Sequence, residues 1–172
     1  MARILGIDPG SRITGFGVID CQVGHVSYVE SGLIKPPIEH LPSRLHQIYF
    51  GIKDIIERVK PDVAVVEQVF MSVNPQSALK LGQARGAAIC ACGARDVKVY
   101  EYAAKKIKST VTGAGMASKE QVQYMVKMLL NLEQKLYEDE ADALAGAITH
   151  FQLMSDEELL SGSVQKQVPA GL

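Results

Sequence analysis

Four acidic residues stand at positions where their carboxylates could act together. Asp8 and Glu67 each end a short apolar run, while Asp139 and Asp142 are three residues apart in a helical pattern and so share one face. Carboxylate oxygens are ligands that Mg²⁺ and Mn²⁺ prefer in proteins. Two such ions about 3.5–4 Å apart can activate a water and stabilise the leaving oxygen of a phosphodiester. If the fold brings the four residues together, the chemistry they predict is metal-dependent phosphodiester hydrolysis.

The two apolar runs that end in carboxylates are predicted strands of one sheet. Arg3–Asp8 precedes a Pro-Gly turn signal, and Val63–Glu67 follows an amphipathic helix whose apolar residues recur at helical spacing. If a strand–helix–strand connection makes these strands parallel neighbours, both carboxylates emerge at the same edge. Neighbouring strands lie about 4.8 Å apart, so the two side chains could share one cation. Taken alone, Asp8 could equally cap the turn that follows it.

Three further strands and five helices complete the predicted fold. Gly15 and Gly17 in the second strand leave room for a close approach to the backbone. Gly82 and Gly86 stand four apart in a helix rich in small residues, which predicts close packing against the sheet or against a second subunit. The other strands are Ile13–Ile19, Val26–Ile34 and Val97–Tyr102, and the helices are Pro42 to Val59, Ser77–Arg95, Ala103–Val111, a Ser118–Gln121 capping box continuing to Leu130, and Asp139–Met154.

Length and composition predict one ordinary globular domain. The chain has 172 residues, of which 47% are hydrophobic and 22% charged. It contains no apolar stretch of about 18 residues and no signal peptide, so we expect a cytoplasmic protein. A single domain is predicted over residues 1–154, followed by a flexible polar tail over residues 155–172.

Cysteine and histidine spacing predicts neither disulfides nor a zinc site. Cys21, Cys90 and Cys92 are odd in number and lack a C-x-x-C arrangement, so we expect reduced and mostly buried thiols. The four histidines show no zinc-binding spacing either.

The formal net charge is only −1, but the two signs are unevenly distributed along the chain. Residues 98–127 hold six lysines against two glutamates, and an acidic cluster follows from Glu138 to Asp142. A basic segment beside an acidic cluster is typical of an enzyme that holds a polyanion while its carboxylates do chemistry. Two solvated helix faces of opposite sign explain the pattern equally well.

Two individual residues suggest contact with nucleic acid. Phe70 lies in the loop Gln68–Pro75, where it either folds back into the core with Met71 or stacks on an unpaired base at the lip of the site. Lys119 lies in the first turn of a predicted helix, where a cation opposes the helix dipole. A phosphate bound beside Lys119 would explain that unfavourable position.

Seven runs of sequence resemble one family, in family order, from about residue 3 to residue 150. They are GIDPGSRITGFGVI, LPSRL, EQVFM, ALKLGQARG, EYAAKKIKSTVTG, KEQVQYMV and DEADALAGAITH. The chain is similar to the RuvC family of crossover junction endodeoxyribonucleases, the bacterial Holliday junction resolvases. The resemblance implies an α/β, ribonuclease-H-like fold with a mixed five-stranded sheet (three antiparallel strands, then two parallel ones) flanked by helices. It also implies a homodimer that acts on four-way DNA alongside RuvA and RuvB in homologous recombination and DNA repair.

The resemblance also implies a role for each candidate site residue. The family's acidic tetrad falls on Asp8, Glu67, Asp139 and Asp142, which would hold two Mg²⁺ per subunit, with Mn²⁺ as a substitute. Asp8 would bridge the ions, and paired nicks would leave 5′-phosphate and 3′-hydroxyl ends. The aromatic residue placed against unpaired bases falls on Phe70. Lysines for phosphate contact or catalysis fall on Lys108 and Lys119, and Lys105 and Lys106 lie in the same basic segment.

Three other functions share part of this sequence pattern. An actin- or hexokinase-like ATP-binding protein also has an acidic residue beside a glycine turn, but it needs a second domain that 172 residues do not hold. A ribonuclease-H-like nuclease acting on ribosomal RNA precursors would share the strand-end acids, although the runs EQVFM and KLGQARG favour the resolvase. A structure-selective DNA-binding protein without catalysis would not need the complete tetrad.

Overall fold

A mixed five-stranded sheet in the order β3-β2-β1-β4-β5 forms the frame of the molecule. The structure is a computed structural model that describes residues 1–37, 40–68 and 74–154. Antiparallel pairing joins β1, β2 and β3, whereas β4 and β5 run parallel to β1, so the predicted sheet is confirmed. The strands are β1 Ala2–Asp8, β2 Thr14–Gln22, β3 His25–Ile34, β4 Val63–Glu67 and β5 Lys98–Tyr102.

The register of the central strands places the ends of β1, β4 and β5 at one edge, which we call the carboxyl edge. Ile7 pairs with Val66 and Glu67 pairs with Tyr102, so Asp8 and Glu67 leave neighbouring strands side by side. The first four residues of β4 are buried. Such a continuous apolar run is typical of a central parallel strand that is covered on both faces.

Helices cover both faces of the sheet and define two cores. Helices α1 and α2 pack on one face, against Leu5 and Val66, and α3, α4 and α5 pack on the other, against Ile4 and Val65. Side chains of β1 and β4 therefore alternate between the two cores, as a period of two requires. The helices are α1 Leu41–Val59, α2 Pro75–Gly93, α3 Ala104–Thr112, α4 Lys119–Leu129 and α5 Glu138–Leu153.

Helix α5 lies unusually close to the sheet because three glycines face it. A Cβ added at Gly15 would overlap the carbonyl group of Asp139, and one added at Gly6 would overlap that of Ala143. A Cβ at Gly17 would overlap the side chain of Leu144. The predicted close approach at Gly15 and Gly17 is thus confirmed, and its partner is the helix that carries two of the candidate acids.

Helix α2 begins at Pro75, two residues before the predicted start at Ser77. The side chain of Asn74 accepts hydrogen bonds from the backbone N–H groups of Gln76 (3.0 Å) and Ser77 (3.3 Å). An N-cap of this kind satisfies donors that the first helical turn leaves without partners. The other predicted helices and strands differ from the observed bounds by no more than a few residues, and the Ser118–Gln121 capping box of α4 is confirmed.

The small residues of α2 do not all serve the same purpose. Its alanines, including Ala84 and Ala88, are buried in the core shared with α1. A Cβ added at Gly82 or Gly86 would meet nothing within 4 Å. The two glycines therefore do not allow closer packing against the sheet, which was the first of the two predicted reasons for them. The second reason, contact with a second subunit, stays a prediction.

All three cysteines are free thiols, with Cys21 and Cys92 buried and Cys90 exposed. Burial raises the pKa of both Cys21 and Cys92 to about 12, which makes them unreactive. No helix within the described residues is long and apolar enough to span a membrane. The predicted tail from Ser155 and the loop residues Phe70 and Met71 lie outside the described residues.

Candidate active site

A cleft of about 260 Å³ lies at the carboxyl edge, and three of the four candidate acids line it. Each of the three comes from a different element. Asp8 ends β1, Glu67 ends β4 and Asp142 lies in the second turn of α5. The cleft is lined by Asp8, Glu67, Ala104, Ile107, Lys108, Lys119, Val122 and Asp142. Five ionisable groups thus share a small volume with an apolar wall.

Asp139, the fourth acid, lies beside the cleft rather than in its lining. Its backbone packs against Gly15, which pairs with Asp8 across the antiparallel ladder. Its charge nevertheless acts on Asp8, whose pKa it helps to raise. The close contact of α5 with the sheet is therefore what brings the acids of that helix to the strand ends.

Asp8 is the most perturbed of these carboxyl groups. Its pKa is raised from 3.8 to about 8, first by burial and then by repulsion from Asp142, Glu67 and Asp139, whereas Lys119 opposes the shift. The structure thus concentrates negative charge that only a cation or a proton can relieve.

Glu67 and Asp142 are shifted in the same direction. The pKa of Glu67 is raised by burial and then by Asp142, while Lys108 and Lys119 lower it. Burial also raises the pKa of Asp142, and Lys119 again opposes the shift. Strongly perturbed carboxyl groups in a cleft are a recognised sign of a functional site.

Lys119 has a protein partner at the mouth of the cleft. Its ammonium group forms an ion pair with Glu138, which raises the pKa of Lys119. Glu138 therefore also offsets the unfavourable position of this lysine at the start of α4, and contact of Lys119 with a phosphate stays a prediction. The positive charge of Lys119 still acts on Asp8 and Asp142.

The donor set fits a hard divalent cation. The acidic groups that line the cleft supply only oxygen ligands, the type that Mg²⁺ and Mn²⁺ prefer and structural zinc sites rarely use alone. Within the described ranges, no three His, Cys, Asp or Glu side chains form a ready-made cage for a metal ion. Mg²⁺ is usually held by one or two carboxylates together with waters and substrate phosphates, so an open acidic cleft suits it.

Three of the predicted DNA-contacting lysines differ in position. Lys108 lines the cleft, where its charge lowers the pKa of Glu67, whereas Lys105 and Lys106 are exposed on α3 and do not line it. Phe70, the predicted base-stacking residue, lies outside the described residues.

Two residues that support the site were not predicted from the sequence. Buried Glu140 accepts a hydrogen bond from the backbone N–H of Tyr137 (2.8 Å) and so caps the helix that carries Asp139 and Asp142. Arg85 of α2 donates to the backbone carbonyl of Glu67 (3.2 Å) and forms an ion pair with Glu101. The S/T-x-x-E pattern that indicates a capping box is absent at Glu140, because the N-cap residue is a tyrosine.

Comparison with known proteins identifies a family over most of the chain. A family model described as crossover junction endodeoxyribonuclease RuvC matches residues 4–150. The crossover junction endodeoxyribonuclease RuvC of Serratia proteamaculans is 54% identical over 153 residues, which cover 89% of this chain and 88% of that protein. The corresponding protein of Photorhabdus laumondii is 55% identical over 150 residues, or 87% of each chain.

Solved structures show the same fold. The structure described as T. thermophilus RuvC in complex with Holliday junction substrate superimposes with a TM-score of 0.83 at 29% identity, covering 92% of this chain and 98% of that chain. The yeast mitochondrial Holliday junction resolvase Ydc2 has a TM-score of 0.65 at 13% identity, covering 93% of this chain and 84% of that chain. At that identity the second likeness concerns the fold alone.

Proposed function

Because this chain belongs to the RuvC family of crossover junction endodeoxyribonucleases, we propose that it resolves Holliday junctions by symmetric, metal-dependent nicking of two strands. The products are 5′-phosphate and 3′-hydroxyl ends that a ligase can seal, as homologous recombination and DNA repair require. The observation that carries the proposal is the convergence of Asp8, Glu67 and Asp142 from three separate elements on one cleft. Cleavage of a synthetic four-way junction, compared with a linear duplex of the same arm sequences, tests it.

Nucleases of this family are metal-dependent, and the proposed cofactor is Mg²⁺, two ions per subunit, with Mn²⁺ able to substitute. Asp8, Glu67, Asp139 and Asp142 would hold the ions. When bound, the ions supply an activated water and stabilise the leaving oxygen. The carboxylates that repel one another without metal are the groups that a divalent cation would neutralise.

The protein's own side chains then position the substrate. Lys108 and Lys119 place positive charge in a cleft that would otherwise repel a phosphodiester. Lys105 and Lys106 extend this charge along the exposed side of α3. Phe70 is proposed to stack on unpaired bases at the centre of the junction.

Replacing Lys119 by alanine should reduce the rate constant for cleavage about a hundredfold, because the variant lacks a fixed charge beside the reacting phosphate. Lys119 also lowers the pKa of Asp8, Glu67 and Asp142. In the variant those pKa values rise, so the acid limb of the pH–rate profile should move to higher pH. Single-turnover cleavage as a function of pH measures both effects. Lys127→Ala, at the other end of α4, is the control. An unshifted pH–rate profile in the Lys119 variant would contradict an effect of the Lys119 charge on the carboxyl groups of the cleft.

The proposed assembly is a homodimer, which offers two identical sites to the near two-fold symmetry of a four-way junction. The open face of α2 is the proposed interface. Gly82 and Gly86 leave room there for a second helix, and Leu79 is 68% exposed on the same helix. An exposed leucine next to two glycines forms an apolar helix surface that suits contact with a second copy of the chain.

Replacing Gly82 by phenylalanine should weaken dimerisation, since its side chain would fill the space that a second α2 needs. Gly82→Ala is the matched control, because a methyl group meets nothing within 4 Å in one subunit and alanine favours the helix. Sedimentation velocity over a range of concentrations measures the dimer dissociation constant. An unchanged constant in the phenylalanine variant would place the interface elsewhere.

The remaining proposals rest on family membership. RuvA and RuvB are the proposed partners, and the cytoplasm is the proposed location. Residues 1–154 are proposed to act as one nuclease domain, with residues 155–172 as a tail. A protein that binds junctions without cutting them is the alternative that the cleavage experiment decides.

A further inference from the structure

The exposed tyrosine that precedes α5 lies against two lysines. The ammonium group of Lys35 lies 5.6 Å from the centroid of the Tyr137 ring, and that of Lys135 lies 5.3 Å from it. All three residues are exposed, Tyr137 by 51%. Neither lysine forms an ion pair with any residue that the structure describes. We call these three residues the Tyr137 platform.

The platform lies at the same edge of the sheet as the acids. Asp8 pairs with Gly15, and Ile34 pairs with Thr14, so β3 ends at the edge where β1 ends, and Lys35 follows directly. Tyr137 is the residue before α5 and precedes Asp139 by two positions. The platform therefore lies on the β3 side of Asp8, whereas α3, whose Lys108 lines the cleft, follows β5 on the other side.

The spacing of the strands gives the separation of β3, which Lys35 follows, from β1, which ends in Asp8. Two strand intervals separate β1 from β3, which amounts to about 10 Å. Along one strand of B-DNA, phosphates recur about every 3.4 Å of helix axis. A DNA strand that is cut at Asp8, and whose helix axis runs across β2 towards β3, would therefore pass the platform about two to four nucleotides away.

We propose that Lys35, Lys135 and Tyr137 form a second contact site for the DNA sugar-phosphate backbone, two to four nucleotides from the cut. The inference rests on the proposed nuclease function. The cleft holds three carboxylates against two lysines, so its net charge repels a polyanion, and cations on both sides of it would help to hold the strand across it. The lysines of α3 supply one side and the platform supplies the other. The ring of Tyr137 holds both ammonium groups at the surface, and its hydroxyl can donate to a phosphate oxygen.

A backbone contact of this kind positions the strand without reading its sequence. It acts equally on the bound substrate and on the transition state. Its removal therefore raises KM and the dissociation constant and leaves kcat unchanged. A higher KM with an unchanged kcat distinguishes the platform from Lys119 in the cleft, whose removal should reduce the rate constant for cleavage.

The first test removes both lysines. In EDTA, the Lys35→Ala/Lys135→Ala variant should bind a four-way junction about tenfold more weakly than wild type near 0.1 M salt. The slope of log K against log salt should become shallower by about 0.9 for each phosphate that the variant no longer neutralises. The control is Lys53→Ala/Lys60→Ala, which removes two charges away from the carboxyl edge. Lys53 also lies over an aromatic ring, 5.4 Å from the centroid of Phe50, so the control removes the same kind of cation–π interaction.

The second test neutralises the phosphates instead. Methylphosphonates placed two to four nucleotides from the cut should weaken binding by wild type and by the control variant, but not weaken binding by the double variant any further. A double variant with the wild-type dissociation constant and salt slope overturns the inference, and so does an equal methylphosphonate effect in all three proteins. A wild-type protein that binds the junction but never cuts it in Mg²⁺ overturns the proposed function instead, and the binding data still decide the platform.

Discussion

The Asp8→Asn variant should cleave four-way junctions at least about a thousandfold more slowly than wild type, while its affinity for the junction changes by no more than a few-fold. Asparagine keeps the size of the side chain but removes the charge that would hold a divalent cation between the strand ends. A thousandfold loss corresponds to about 4 kcal/mol of transition-state stabilisation, a magnitude that the loss of metal catalysis readily reaches. Single-turnover cleavage in Mg²⁺ and binding in EDTA measure the two quantities.

Asp54→Asn provides the matched control. Asp54 is exposed on α1, away from the carboxyl edge, and the same chemical change there should leave cleavage unaltered. Retention of more than about a tenth of the wild-type rate in Asp8→Asn would contradict a metal-binding role for Asp8.

The free energy of unfolding of Asp8→Asn shows whether the variant loses activity through its chemistry or because its fold is damaged. The folded-state pKa of Asp8 is raised from 3.8 to about 8. The stability that this group contributes is therefore fully present below about pH 4 and is lost as pH rises toward 8. Without metal, the free energy of unfolding of Asp8→Asn should exceed that of wild type by about 2–5 kcal/mol at pH 8, with a much smaller difference at pH 5. Urea unfolding in EDTA at both pH values measures it, and a less stable variant at pH 8 would show that the carboxylates do not repel one another as described.

The Gly15→Val variant should lose both cleavage and stability. Any side chain at Gly15 overlaps the backbone of Asp139 and must push α5 away from the sheet. Backbone cannot retreat as the end of a flexible side chain can, so we expect the free energy of unfolding to fall by about 3 kcal/mol. A displacement of α5 also moves Asp142 out of the cleft, and cleavage should fall by at least about a hundredfold even where the protein is folded.

Gly146→Ala tests whether the effect belongs to the close contact rather than to any glycine near α5. Gly146 is buried in the same helix, and its added Cβ would lie 3.5 Å from Val65, an ordinary van der Waals distance. Alanine favours the helix by about 1 kcal/mol, so this variant should be active and at least as stable as wild type. Full activity in Gly15→Val would mean that the site does not depend on the approach of α5.

Local signals in the sequence were sufficient to predict the strands that end at the cleft. Arg3–Asp8 and Val63–Glu67 are apolar runs, and the helix between them makes parallel pairing the expected outcome. The glycines of β2 predicted a close approach, although not that α5 makes it. Gly6, which the same helix covers at Ala143, carried no distinguishing signal in the sequence.

The contacts that organise the charges could not be predicted, because they join residues far apart in sequence. Lys119 and Glu138 start different helices, and only the packing of α4 on α5 brings them together. The hydrogen bond from Arg85 to the carbonyl of Glu67 likewise depends on how α2 lies beside β4. Pattern and spacing predict elements and their directions, whereas such pairs follow from tertiary packing.

Cleavage of a four-way junction is the direct test of whether this acidic cleft cuts DNA with the help of a divalent metal. Wild-type protein with a synthetic four-way junction in Mg²⁺ should produce paired nicks at symmetrically related positions, which DNA ligase seals. The same mixture in EDTA, or with Asp8→Asn, should leave the junction intact but bound. Junction binding by the wild type with no cutting in either Mg²⁺ or Mn²⁺, or equal cutting of linear duplex, would show that the protein is not a metal-dependent junction resolvase.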